Sequence, residues 1–246
     1  MNDFNHDEKY ESLNGILAWL VHHVYLNVKG YYIDEKDSYD HWNNAPTVLL
    51  TQWLTCTPTT MHLLGEYLKE YFNVAYAPRF PKFNTVAADL SAKMLEQKIR
   101  EVLTHEKNKD INLIGHSFGG ILSIEAVRIA TDVRVNNIIT LSTPYVGPPL
   151  SELFKNVFPA CKNLVTRWGF HWKTNIEKQI QWKLIAHISE MDSVVSSYSQ
   201  TPNSCIARNK TRIVRHSDWD HGDFIIWNTC KRTSELIHEE IHKLWQ

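Results

Sequence analysis

The 246 residues are 43% hydrophobic and 22% charged, values that are ordinary for a soluble globular chain and exclude a disordered or coiled-coil protein. The formal net charge of -1 provides no long-range field that would recruit nucleic acid, so we expect no nucleic-acid partner. None of the cysteines forms a C-x-x-C pair, and residues 1–12 lack the basic segment of a signal peptide. The sequence therefore predicts free thiols and a cytoplasmic protein.

The N-terminal segment is expected to form an amphipathic helix within residues 1–30, because apolar residues recur at helical spacing over 13–28. This run falls short of the roughly 20 apolar residues that span a bilayer. Two interpretations stay open. The helix packs on the main domain, or it lies in a membrane interface, where Trp19 and Tyr25 are favourable residues and would add peripheral membrane association.

Short apolar runs alternate with longer helical patterns along the rest of the chain, which we treat as a single domain over 1–246. This alternation predicts an α/β protein with a mostly parallel sheet of six strands, or slightly more, and helices on both faces. In chain order the predicted elements are strand 47–51, helix 59–72, strand 73–76, helix 86–104, strand 111–114, helix 120–131, strands 137–141, 184–189 and 211–215, and helix 229–244. In helix 86–104 we expect the core to contain Ala87, Leu90, Met94, Ile99 and Leu103.

Residues 145–183 interrupt the alternation, since this segment is longer than an ordinary crossover and is rich in aromatic side chains. It is interpreted either as a peripheral helix pair with a small core of its own or as a short cap over an apolar pocket. Its aromatic residues are Tyr145, Phe154, Phe158, Trp168, Phe170, Trp172 and Trp182.

Residues 115–119 read G-H-S-F-G, directly after the third predicted strand and before a helix. This is the G-x-S-x-G pattern of a nucleophile elbow. The chain reverses within a few residues there, and the glycines remove side chains that would collide with the neighbouring strand and helix. Ser117 is therefore the predicted nucleophile, with the positive end of the helix dipole directed at it.

The region from about 48 to 150 resembles bacterial triacylglycerol lipases and carboxylesterases of the α/β-hydrolase superfamily. The likeness is carried by V-L-L-T-Q-W at 48–53, I-G-H-S-F-G-G at 114–120 and L-S-T-P-Y-V-G at 141–147. The resemblance implies an α/β-hydrolase fold, cleavage of apolar or lipid esters through an acyl-enzyme, and no metal or organic cofactor. Thioesterase and amidase activities use the same machinery and stay open.

In this family the acid and the histidine follow the serine in chain order. The stretch after the fifth strand resembles the family's D-x-x-V pattern, which implies Asp192 as the acid, with Glu190 as the alternative. The loop after the sixth strand holds two histidines. His221 precedes the last helix, as the family's histidine does, and is favoured as the base over His216.

An oxyanion hole needs two backbone N–H groups directed at the developing negative oxygen. The resemblance implies Phe118, after the nucleophile, and Trp53, after the first strand. Thr51 and Gln52 replace the family's His-Gly at that turn. We therefore expect either an awkward backbone conformation at Gln52 or a hole of different shape.

The last predicted helix contains H-E-E-I-H at 238–242, a match to the H-E-x-x-H zinc motif. Zincins take a third ligand further downstream, and Gln246 closes the sequence. We therefore expect these charged residues to face water rather than a metal. A non-catalytic binding protein on the same fold is the rival to the hydrolase, and the altered turn at Gln52 is its main support.

Overall fold

The computed structural model of the chain describes residues 45–105, 111–146, 182–202 and 211–243, together with positions 24, 25, 28, 37, 156, 159 and 160. Most of the predicted N-terminal helix and of segment 145–183 lies outside the described residues. Val24, Tyr25 and Val28 are helical and exposed. Within the described ranges, no helix has the length and hydropathy needed to cross a bilayer. Both interpretations of the N-terminal segment stay predictions, and so do both interpretations of segment 145–183.

The strands form one sheet in the order β2-β1-β3-β4-β5-β6, and every neighbouring pair is parallel. This confirms the α/β class and the six-stranded sheet. Because all strands are parallel, their carboxyl ends meet at one edge, where ligand sites of such sheets lie. The strands are β1 Thr47–Thr51, β2 Asn73–Tyr76, β3 Ile111–His116, β4 Val135–Leu141, β5 Lys183–Ser189 and β6 Thr211–His216.

The helices agree with the predicted ones except at their ends. The predicted helix 59–72 begins as a 3-10 turn, Pro58–Met61, and its α-helical part ends at Leu68, because the chain must turn before β2. The short helix after the acid loop was not predicted. Within residues 45–105, 111–146, 182–202 and 211–243, the regular α-helices are α1 His62–Leu68, α2 Ala88–His105, α3 Phe118–Ile129, α4 Ser197–Gln200 and α5 Trp227–Lys243.

Both faces of the sheet are buried under helices. Leu49 of β1 belongs to a core shared with α2 and α3, whereas its neighbours Val48 and Leu50 belong to a second core shared with α1 and α5. Burial on two faces explains why the strands are nearly continuous apolar runs instead of alternating ones. Cys56 and Cys230 are both buried in the second core.

The buried stripe of α2 agrees only in part with the predicted one. Ile99 is buried as expected, and Met94 and Leu103 pack against the core while partly buried, but Leu90 is 47% exposed. Two apolar stripes share the same three- and four-residue spacing here, so spacing alone does not choose between them. The buried residues of α2 are Ala88, Ser91, Ala92, Leu95, Ile99 and Val102.

The start of α3 packs tightly against the end of β1. A Cβ atom at Gly119 would meet the carbonyl oxygen of Thr51 and lie 2.8 Å from that of Gln52. Both obstacles are backbone atoms, so they cannot rotate away. Helix α3 reaches its position because residue 119 has no side chain.

We expect Gly119→Ala to lower the free energy of unfolding by about 3 kcal/mol, because the added methyl must displace backbone. Gly65→Ala is the matched control. Gly65 also lies in a helix, and its Cβ would meet the Tyr76 hydroxyl, the far end of a side chain. The gain in helix propensity, about 1 kcal/mol, is common to both variants. Denaturant unfolding measures the difference, and an equal loss in the two variants would contradict the prediction.

Candidate active site

Ser117 occupies the tip of the turn between β3 and α3. Its backbone has φ 51° and ψ -120°, a conformation that L-residues rarely adopt and that costs about 1–3 kcal/mol. Three hydrogen bonds hold it. The Ser117 N–H donates to the carbonyl oxygen of Leu141 at 2.7 Å. The Ser117 carbonyl accepts from the Gly120 N–H at 3.1 Å and from Thr143 Oγ1 at 3.0 Å. The chain reversal predicted from the G-x-S-x-G pattern is thus fixed by β4 and α3.

Asp192 and His221 meet at the carboxyl edge of the sheet. His221 Nδ1 lies 2.7 Å from Asp192 Oδ2, and both side chains are almost fully buried. Asp192 Oδ1 accepts from the backbone N–H groups of Val194 and Val195 at 2.8 and 2.7 Å. Because an ionised carboxylate only accepts, Nδ1 carries the proton. The Nε2 atom of a neutral His221 is therefore the proton-accepting nitrogen.

The two alternative residues lie elsewhere. Glu190 is exposed and forms an ion pair with Arg215 at 3.4 Å. His216 Nε2 lies 3.1 Å from His187 Nδ1, and its ring stacks on Trp219 with a centroid distance of 4.2 Å. The described contacts of Asp192 thus involve His221 and not His216.

His187 and His216 form a neutral pair near pH 7. Burial lowers the pKa of His187 to about 3, with further lowering from His216 and Arg212. Burial also lowers the pKa of His216 to about 4. A group with so low a pKa is a poor proton acceptor at neutral pH. This property favours a structural role for His216.

Two aromatic side chains enclose His221. The Trp53 and His221 rings are parallel within 6°, with centroids 5.3 Å apart. His116 Nε2 donates to the carbonyl oxygen of His221 at 2.7 Å, and the His116 ring packs on Trp53 at 4.5 Å. The sequence motifs indicate a role for the backbone N–H of Trp53 only, and none for His116. The position of His116 inside the elbow motif is the signal that was available.

The two N–H groups predicted for the oxyanion hole come from neighbouring segments. The close approach of Gly119 to Thr51 and Gln52 brings the start of α3 beside the turn after β1, which carries Trp53. The Phe118 N–H is the first of α3 and has no acceptor within the helix. Of the two alternatives for this turn, the awkward backbone conformation at Gln52 is not observed, since Gln52 is not among the described residues with positive φ. Its side-chain amide donates to Pro78 O at 3.1 Å.

Backbone strain near this turn is found instead at Thr55, with φ 62°, and in a second segment that the sequence did not reveal. Lys82, Phe83 and Asn84 have φ values of 48°, 55° and 63°, three consecutive residues in the left-handed region. The Asn84 side chain donates to the Trp53 carbonyl at 3.1 Å and lies 3.5 Å from the Gln52 carbonyl. The left-handed turn therefore orders the strand end that carries the predicted oxyanion N–H.

A second carboxylate joins the acid loop to the histidine loop. Asp220 Oδ1 accepts from the backbone N–H of Ser193 at 2.8 Å and of His221 at 2.6 Å. The Ser193 hydroxyl donates to the same oxygen at 2.9 Å. The two loops thus hold each other, and Asp220 belongs to the residues that sequence reasoning missed.

The H-E-x-x-H residues pack on the fold. His238 stacks on Tyr71 with a centroid distance of 4.1 Å, and Glu240 is buried and pairs with Arg212 at 2.7 Å. The prediction that these residues face water is wrong for Glu240, because its side chain is buried and pairs with Arg212 of β6. In the part of the chain that the structure describes, no three His, Cys, Asp or Glu side chains converge as metal ligands would.

Comparison with solved structures shows the same fold in lipases. The mature lipase BlEst2 of Bacillus licheniformis superposes with a TM-score of 0.66, 15% identity, and coverage of 86% of this chain and 98% of that one. The monoacylglycerol lipase of Paleococcus ferrophilus gives a TM-score of 0.60, 15% identity, and coverage of 81% and 96%. The fold and the elbow define an α/β hydrolase.

The family model described as the PGAP1-like alpha/beta domain matches residues 51–217, and the chain belongs to that family. A GPI inositol-deacylase of Cryptococcus neoformans is 31% identical over 84 residues, which is 34% of this chain and 11% of that protein. A second strain's GPI inositol-deacylase gives the same identity over 10% of its length. The matched stretch thus covers about a tenth of these relatives.

We expect the Trp53 ring to orient the His221 imidazole. Trp53→Phe keeps an aromatic face and Trp53→Leu removes it, while both keep the backbone N–H. If the His221 imidazole takes part in ester hydrolysis, kcat/KM on p-nitrophenyl butyrate should fall about tenfold further in Trp53→Leu than in Trp53→Phe, because a loosened imidazole departs from its fixed geometry. Equal kcat/KM in the two variants, at equal thermal stability, would show that the ring does not orient His221.

Proposed function

We propose that this chain is a serine ester hydrolase in which Ser117 is the nucleophile, His221 the general base and Asp192 the acid that orients the base. The observation that carries the proposal is the buried 2.7 Å hydrogen bond between Asp192 and His221, at the same sheet edge as the strained serine turn. A serine hydroxyl is a weak nucleophile until a base accepts its proton. A neutral imidazole held by a carboxylate is the group that does so.

Acylation proceeds in two steps. Ser117 Oγ attacks the ester carbonyl carbon while its proton passes to His221 Nε2, and Asp192 stabilises the imidazolium. The backbone N–H groups of Phe118 and Trp53 bind the negative oxygen of the tetrahedral intermediate. The intermediate then collapses, His221 gives its proton to the leaving alcohol, and the acyl group remains on Ser117.

Deacylation repeats these steps with water. A water molecule gives a proton to His221 Nε2 and attacks the acyl-enzyme carbonyl. The second tetrahedral intermediate releases the carboxylic acid as His221 returns the proton to Ser117 Oγ. Serine and neutral histidine are both regenerated, so the cycle consumes one ester and one water.

Two considerations support a lipid ester as substrate. The solved structures that share the fold include a lipase and a monoacylglycerol lipase. The curated relatives are GPI inositol-deacylases. The similarity to GPI inositol-deacylases favours a narrower substrate class, in which the scissile bond joins a fatty acyl chain to an inositol hydroxyl of a glycolipid.

In an assay with p-nitrophenyl esters of short and long acyl chains, we expect Ser117→Ala and His221→Ala each to lower kcat by 10³-fold or more. Because Ser117 and His221 act together in the same step, the double variant should have a kcat only slightly below that of either single variant. His216→Ala is the matched control, because its imidazole has no described contact with Asp192, and it should keep most of the activity.

Covalent labelling by a fluorophosphonate separates the hydrolase from its rival. The wild type should be labelled at Ser117, and the label should disappear in Ser117→Ala. A folded wild type that hydrolyses no ester and takes no label would instead identify a binding protein built on the hydrolase fold.

The narrower substrate candidate has its own test. The test substrate is phosphatidylinositol that carries a palmitoyl ester on its inositol ring. We expect palmitate to be released from it at a higher kcat/KM than from tripalmitoylglycerol in the same detergent. The reason is that polar groups matched to inositol hydroxyls discriminate strongly against substrates that lack them. Faster hydrolysis of the triacylglycerol would favour a general lipase.

A further inference from the structure

The Gln200 side chain is a buried carboxamide that no proposed reaction step has used. It belongs to α4, the one-turn helix after the acid loop, and is only 1% exposed. Its Oε1 accepts from the Ser189 N–H at 2.8 Å, and its Nε2 lies 3.2 Å from the Ser189 carbonyl oxygen. The carboxamide thereby pairs with the last residue of β5 as a neighbouring strand would.

The same nitrogen reaches the acid of the proposed dyad. Gln200 Nε2 donates to Asp192 Oδ2 at 2.8 Å and lies 2.6 Å from the Val195 carbonyl oxygen. Asp192 Oδ2 is the oxygen that accepts from His221 Nδ1 at 2.7 Å. Gln200 and His221 therefore share one carboxylate oxygen, and the lone pairs of the other oxygen are occupied by two backbone N–H groups.

This arrangement accounts for an amide at position 200. The Asp192 side chain is fully buried, so protein donors must replace water around its charge. A carboxamide supplies a donor without adding charge, and its second group ties that donor to the end of β5. A carboxylate at the same place would repel Asp192, and an apolar side chain would leave a buried lone pair of Asp192 Oδ2 without its donor.

We propose that Gln200 is a positioning residue that fixes the Asp192 carboxylate in the orientation that receives His221. It acts through Asp192 and touches no substrate. This inference rests on the proposed function, because the dyad it orients is the proposed Asp192–His221 pair. It adds a residue from a helix that sequence reasoning did not predict.

Gln200→Glu tests the proposal through the charge on His221. The described titratable groups that face His221 are Asp192, Asp220 and His116, with Asp223 behind Asp220. A further carboxylate beside Asp192 Oδ2 favours the protonated imidazole, since an opposite charge within about 4–6 Å stabilises the charged form. We expect the titration midpoint of His221, followed by NMR of histidine-labelled protein, to rise by about one pH unit. The midpoint on the acid side of the pH profile of kcat/KM should move to higher pH with it.

Two further variants separate positioning from a structural role. Gln200→Leu has similar volume but no donor, and kcat/KM should fall about tenfold or more as Asp192 loses its fixed orientation. Thr201→Val is the matched control, because the Thr201 hydroxyl donates to Ser197 O in the same helix and does not reach Asp192. It should leave both the His221 midpoint and kcat/KM close to wild type.

The outcomes distinguish this inference from the function on which it rests. An unchanged His221 midpoint in Gln200→Glu, together with equal kcat/KM in Gln200→Leu and Thr201→Val, would overturn the role of Gln200 while hydrolysis by wild type persists. The reverse result is a shifted His221 midpoint in Gln200→Glu while the wild type neither hydrolyses esters nor takes the phosphonate label. That result would support the Gln200–Asp192–His221 coupling and overturn the proposed ester hydrolysis instead.

Discussion

The strained backbone at Ser117 is the constraint on which the rest of the site depends. The turn is possible because β3 lies between β1 and β4, so both neighbours can hold it. The end of β4 accepts the Ser117 N–H, and the end of β1 packs on Gly119 without space for a side chain. One local conformation thereby fixes three features: the position of Ser117 at the tip of the turn, the start of α3, and the proximity of α3 to the turn that carries Trp53.

The other half of the site depends on the register between β5 and β6. Ser189 pairs with His216 at the carboxyl ends of these strands, so the loops that follow begin side by side. They are then joined by backbone and side-chain hydrogen bonds, among them Met191 N–H to Trp219 O at 3.2 Å and the Asp220 contacts with Ser193. Because β6 is an edge strand with partly exposed residues, these cross-links supply the rigidity that a further strand would otherwise provide.

The fold and the elbow were predictable because their signals are local. A buried parallel strand is a short apolar run, and the serine turn needs its glycines at fixed spacing around residue 117. The contacts that were missed join segments distant in sequence. Asn84 reaches the turn at Trp53, and Asp220 reaches Ser193 across 27 positions. The prediction of a buried Leu90 in α2 was wrong for a related reason: two stripes fit the helical period, and only the packing against the sheet selects one.

His187 and His221 show how the same residue type acquires different chemistry at similar burial. Both imidazoles are at most 3% exposed. His187 has another histidine as its described partner, and burial lowers its pKa to about 3 because nothing compensates the charged form. His221 has a carboxylate at 2.7 Å, whose charge is in turn solvated by neutral amide donors. Burial by itself disables an imidazole as a base. In the proposed mechanism, the Asp192 carboxylate compensates for that burial by stabilising the imidazole after it accepts the proton of Ser117.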